Sequence, residues 1–391
     1  MKLADICEIN PRAEVLDDNT LVSFVAMPDV SEDGKINVDT HRTYGEVKKG
    51  FTNFIEGDVL FAKITPCMEN GKGALATGLE NGLGFGSTEF HVLRPDTAIV
   101  LGEWLFYLTS WSAFRKDAEK HMTGSAGQKR VPKSFLVKYE IDVPPIDDQE
   151  YQVLQLNRIR KIIDARRQQI SALDDLIKAR FVEMFGDPEA SPLCWPIKTL
   201  DTLLSADPQN GLYKPQSDYV QDGSGTPILR IDAFYDGKVT SFLGLKRLQC
   251  SEAEKSRYLL KENDIVINRV NSLEYLGKCA LITGMVEPTV FESNMMRFHV
   301  NESEIDPCFL TRLLCSPFVY NQILNRAKKA VNQASINQGD VQSFRIIVPP
   351  LNLQKQFAAF VSQIDKSKSV IQKSLDETQL LFDSLMQQYF G

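Results

Sequence analysis

Two passages of this chain repeat at one fixed distance, and that repeat restricts the fold more than any other feature. Val143-Pro144-Pro145-Ile146, then Gln149 and a long stretch closed by Phe185-Gly186, recur as Val348-Pro349-Pro350-Leu351, then Gln354 and a stretch closed by Phe390-Gly391. Pro144 to Pro349 and Phe185 to Phe390 are both 205 positions apart. A matched start and stop at one offset indicate duplication of one large unit, far longer than a solenoid repeat. Upstream the match loosens. Gly57–Lys63 lines up with Asn263–Arg269, Gly71–Ala74 with Gly277–Ala280, Phe90-His91-Val92 with Phe298-His299-Val300, and Gly34-Lys35-Ile36 with Gly237-Lys238-Val239. The drifting offset fits insertions and deletions in surface loops. Each unit therefore reads as a fixed frame plus a variable part.

The fixed parts are helical. Asp147 to Phe185 holds no Gly or Pro, and its apolar stripe runs Leu156, Ile159, Ile163, Ile170, Leu173, Ile177 and Met184, with Arg166 and Arg180 in line. The second copy gives Val361, Ile364, Ile371, Leu375, Phe382, Leu385 and Tyr389, with Lys368 and Thr378 in line. Intervals of three and four have heptad character. Helices of roughly 35–40 residues would be about 55 Å long. Each alone exposes its stripe, so the two are expected to pair as an antiparallel coiled coil with pseudo-twofold symmetry.

The parts before them read as mixed α/β (α+β). Thr20–Val25, Asp58–Ile64, Glu89–Leu93 and Tyr139–Val143 have strand patterns, Trp104–Lys120 a helical one, and Ser31–Gly34, Glu69–Gly73 and Asn81–Gly86 are turn-rich. The expected organisation is a globular domain over 1–145, a long helix over 146–186, a linker over 187–196, a second globular domain over 197–350 and a second helix over 351–391.

Several function classes lack support. No run of about 18 apolar residues predicts a membrane span. Asp5 and Glu8 interrupt any signal-peptide core near the start. Seven scattered cysteines without C-x-x-C suit a reducing cytoplasm and predict neither disulfide frame nor zinc site. Four histidines without ligand spacing predict no metal, and His91 and His299 read as structural strand residues. There is no Walker loop, H-E-x-x-H, G-x-S-x-G elbow or amino-methyltransferase signature, so no catalytic residue is expected. Gly82–Gly86 reads as a hairpin or tight turn rather than a cofactor loop. A net charge of −7 disfavours a uniformly basic surface.

Polar and basic residues nevertheless cluster at corresponding places. In the first unit, Lys129 and Arg130 follow a Gly-Ser-Ala-Gly loop, with Lys63 and Lys72 on nearby turns. In the second, Lys328, Lys329 and Asn332 are joined by Arg269, Asn271, Tyr275 and Lys278. Lys and Arg reach phosphates or guanine edges, and Asn reads adenine. A solvated loop with ordinary surface charge explains one such cluster; for two matched clusters, DNA contact and a solvated loop stand as equal alternatives.

The V-P-P-[IL]-x-x-Q opening, the F-G closure and the duplication together resemble the specificity subunit of type I restriction–modification enzymes. Lys63–Lys72, Gly84–Pro95 and Gly127–Pro132 also resemble one of that family's target-recognition domains. The resemblance covers essentially the whole chain. It implies that each globular domain reads one half of a split, asymmetric double-stranded DNA site. It implies helices that fix the unread spacer and dock two modification subunits. It further implies a chain with no catalysis or cofactor of its own. S-adenosylmethionine would be held by the modification subunit, Mg and ATP by a restriction subunit, in the cytoplasm and off the membrane. Alternatives are the recognition subunit of a system cleaving on both sides of its site, a fused restriction–methylation chain, or a coiled-coil scaffold without a DNA role.

Overall fold

A computed structural model describes every residue except 13, 126, 188–190, 193 and 194, so half of the linker expected at 187–196 lies outside the described residues. The chain forms two compact units: Met1–Gln169 with Ile371–Gly391, and Ile170–Val370. Each unit thus contains part of both long helices, Ile146–Phe185 and Leu351–Phe390.

In the first unit, the strands Cys7–Ile9, Phe90–Pro95, Val59–Ala62 and Gly73–Leu75 lie in that order in one antiparallel sheet. A second four-stranded sheet orders His41–Thr43, Leu21–Val25, Leu83–Gly86 and Thr52–Ile55. The expected strand at Tyr139–Val143 is instead an irregular extended passage: Leu3 donates to the Tyr139 carbonyl and Ile141 to that of Met1. The expected helix over Trp104–Lys120 is two helices, Gly102–Ser110 and Ser112–Lys120, because Trp111 takes extended ψ at 133°. The second unit centres on a six-stranded sheet in which Met295–Val300, Ile265–Asn268 and Cys279–Leu281 are successive neighbours.

The shared frame rests on one buried carboxylate in each unit. Gly57, at φ 87°, turns the chain into Asp58, which accepts the Ile55 amide at 2.8 Å and two bonds from Arg94 at 2.9 and 2.8 Å. In the second unit Asn263, at φ 66°, precedes Asp264, which accepts the Lys261 amide at 2.8 Å and lies 3.1 Å from His299 Nδ1. Asparagine tolerates the left-handed region better than most residues, so it can replace glycine here.

Sheet register corrects one sequence match. Phe61 faces His91 in the first unit, whereas Ile267 faces Met296 in the second. Met296 therefore stands where His91 does, and His299 stands where Arg94 does. His91 is a structural residue: Nε2 donates to the Val131 carbonyl at 2.8 Å and Nδ1 accepts from Asn10 Nδ2 at 3.1 Å.

The repeated glutamines explain the Pro-Pro motif. Gln149 is fully buried; it accepts the Leu101 amide at 2.9 Å and donates to the carbonyls of Ile99 and Pro144 at 2.9 and 2.8 Å. Gln354, equally buried, accepts the Asp306 amide at 2.8 Å and donates to Pro349 at 2.7 Å. One amide side chain thus satisfies backbone groups where the chain enters each long helix.

The Phe-Gly closures have matching partners. In the first unit Phe390 packs on Trp104 at 5.0 Å between ring centroids. In the second, Phe185 packs on Phe309 at 4.7 Å and Phe357 at 5.6 Å. Within the second unit Asp174 bonds Lys368 at 2.5 Å while Phe181 meets Phe357, so the two helix segments run in opposite directions. Within the first, Arg166 donates to the Ser374 carbonyl at 2.6 Å and to the Thr378 hydroxyl. The polar residues interrupting the stripe are therefore partnered. Leu156, Ile159, Ile163, Ile177, Val361 and Ile364 are buried, and Ile170, Leu173, Ile371, Leu375, Phe382 and Leu385 are half-buried. The aromatic residues Phe181, Phe185 and Phe357 add anchors that the stripe alone does not include.

Candidate nucleic-acid interface

A short exposed hairpin recurs in both units on the same backbone frame. In the first unit, Thr123 and Arg130 exchange backbone bonds at 3.0 and 2.8 Å, and Arg130 also bridges Ile64. In the second, Lys328-Lys329 pairs with Ala334-Ser335, which pairs in turn with Val270-Asn271. The anchoring bonds repeat. Lys63 N donates to Glu89 O at 2.9 Å, as Arg269 N does to Asn294 O at 2.8 Å. Val131 N donates to Lys63 O at 2.9 Å, as Ile336 N does to Arg269 O at 3.0 Å. Lys63, Glu89 and Arg130 therefore correspond to Arg269, Asn294 and Ser335.

The side chains on this constant backbone differ. Lys129 is exposed on the outgoing strand of the first hairpin, whereas Lys328 and Lys329 are exposed on the incoming strand of the second. None of the three forms an ion pair among the described residues. Arg130 is held by Glu89: Nε lies 2.9 Å and Nη2 2.7 Å from its two carboxylate oxygens. That pairing keeps the Glu89 carboxyl below the usual range and the guanidinium firmly charged. Lys63, beside them and half-buried, has its ammonium pushed down by desolvation and by the Arg130 charge.

Arg269 donates Nη1 to the Ser293 carbonyl at 3.0 Å, and its Nε is buried without a partner among the described residues. Asn271 lies on the three-stranded sheet and accepts the Ser272 amide at 2.8 Å. Asn332 is exposed at the hairpin tip. Lys278 projects between two tyrosine rings, 4.1 Å from the centroid of Tyr235 and 3.9 Å from that of Tyr275, and burial lowers its ammonium's pKa. Lys72, its counterpart, instead donates to the Met27 carbonyl at 3.0 Å. The structure thus gathers Lys63, Lys129 and Arg130 in one unit. In the other it gathers Arg269, Asn271, Lys328, Lys329 and Asn332. Lys72 is engaged with the backbone. Sequence reasoning missed Glu89 and Asn294; the 205-residue offset between them, applied to the position before each central strand, was the available signal.

Residues 1–174 and 195–378 each match the type I restriction modification DNA specificity domain, together most of the chain. The chain belongs to that family. Within this specificity family it is 42% identical to the Escherichia coli type I restriction enzyme EcoAI specificity subunit over 175 residues, 44% of this chain and 30% of the relative. Identity to the E. coli EcoEI specificity subunit is 26%, covering 98% of this chain and 81% of the relative. The chain thus spans less than a third of the first relative's length and about four-fifths of the second's. The type I system S subunit from M. genitalium shares the fold, with a TM-score of 0.55 at 13% identity over 100% of this chain and 95% of that one. A chain from a structure of type I R-M complex assembly and conformational transition gives 0.57 at 19% identity, over 99% and 96%. Among the described residues, no helix is long and apolar enough to cross a membrane.

Proposed function

We propose that this chain is the sequence-reading, non-catalytic subunit of a type I restriction–modification complex. Its two globular domains, 1–145 and 197–350, each read one half of an asymmetric, bipartite site on double-stranded DNA. The helices over 146–186 and 351–391 pair along their stripes as an antiparallel coiled coil with a pseudo-twofold axis, set the unread spacer and dock two modification subunits. Those subunits carry S-adenosylmethionine; restriction subunits, where they join, use Mg and ATP. The complex works on cytoplasmic DNA.

The observation that carries this reading is the repeated hairpin: one backbone frame in both units, with different polar side chains on it. A structural hairpin needs no such variation, whereas two readers of different sequences require it. Lys129, Lys328 and Lys329 supply phosphate contacts that position the duplex and make binding fall steeply with salt. Arg130, Arg269, Asn271 and Asn332 supply donors and acceptors suited to base edges. Tyr275 and Lys278 extend the polar surface of the second reader, and Lys63 that of the first, while Lys72 stays bonded to the Met27 carbonyl. The acidic total is compatible with this because charge distribution, not its sum, governs DNA contact.

Methylation-sensitive long-read sequencing tests the reading. DNA from cells carrying this chain with its genomic neighbours is compared with DNA from cells lacking only this chain. A split motif with methylated adenine in each half should vanish on deletion. A motif that persists unchanged contradicts the assignment.

A further inference from the structure

We infer that Arg130 reads a guanine in the half-site of the first unit and that Glu89 is the residue that positions it. The inference rests on the reading of the hairpins as DNA-facing and goes further by naming a base. Glu89 engages the Nε and Nη2 side of the guanidinium. The Nη1 group makes one long bond, 3.3 Å to the Gln128 carbonyl. The outer edge of the fork, Nη1 and the remaining Nη2 hydrogen, is therefore left to donate outward. Two parallel donors at that spacing match guanine O6 and N7 in the major groove. A lysine or amide cannot present the same fork.

The pair is 43% and 25% exposed at its two side chains, so as a surface ion pair it contributes little to stability. Its consequence is orientation. An arginine locked by a carboxylate has less rotamer freedom to lose on binding, as a preorganised reader requires. The second unit has Asn294 and Ser335 at these two positions, so it offers no equivalent fork there. The guanine requirement at this position therefore belongs to the first half-site only.

The test uses Arg130→Lys, Glu89→Gln and Lys129→Gln in the full chain expressed with its partners, with the methylated motif read by long-read sequencing. Arg130→Lys should reduce discrimination for guanine about tenfold or more at one position of one half-site, leaving the other half-site unchanged. Glu89→Gln should relax the same position to a smaller degree. Lys129→Gln should lower methylation of all sites alike without altering the motif. An unchanged motif in both Arg130→Lys and Glu89→Gln overturns the inference. So does an even loss across all sequences in those variants, which would reduce Arg130 to a fastener of the hairpin. If the unmutated chain directs no split motif, the reading as a specificity subunit fails, and this inference with it.

Discussion

His91 shows how one residue couples the first unit's frame to pH. Burial pushes its imidazole down to about 4, against an ordinary value of 6.5. The folded state therefore takes up the proton later than the unfolded chain does. Its contribution is complete above pH 6.5 and is lost as pH falls toward 4. By pH 5 this amounts to about 2 kcal/mol. Urea unfolding of the full chain at pH 7.5 and pH 5 should show that slope, and His91→Gln should flatten it; an equal slope in the variant would contradict the assignment. Gln149 gives a second prediction at this scale. Gln149→Ala orphans the Leu101 amide and the Ile99 and Pro144 carbonyls. A loss of about 3 kcal/mol is expected in the same assay.

At the scale of elements, each long helix ends in a phenylalanine that completes a hydrophobic core. Phe185 lies in the core of the second unit, and Phe390 packs against that of the first. Phe185→Ala should therefore destabilise the second unit by about 3–5 kcal/mol. Phe390→Ala should loosen the first, with limited proteolysis reporting which unit is cut. Both variants exposing the same unit would refute this division. The helices were legible in the sequence because heptad spacing, a Pro-Pro start and a Phe-Gly end persist over 40 residues. The short strands were harder. Alternating strands look alike when slipped, which is how His91 came to be matched with His299 while register sets it against Met296. The hairpins were seen as basic loops, but their pairing depends on backbone bonds to residues some 60 positions away, such as Ile64 with Arg130. The 205-residue offset marks Glu89 and Asn294 as counterparts, but it does not show that Glu89 holds Arg130, a contact that only the fold brings about.

At the scale of the whole molecule, the proposed function joins two unlike globular domains to the two long helices, Ile146–Phe185 and Leu351–Phe390. The fold and family follow from the duplication, while on the proposed reading the sequence that each domain prefers depends on side chains placed by loops, which periodicity does not encode. On the proposed reading the helices measure the distance between the half-sites. The most direct measurement is the methylated motif directed by a chain carrying one extra heptad in each long helix, inserted mid-stripe so that both seams stay in register. A heptad adds about 10 Å of helix, equivalent to roughly three base pairs of duplex. Both half-sites should stay unchanged and the spacer should lengthen by about three base pairs. A methylated motif with its original spacer would contradict that reading.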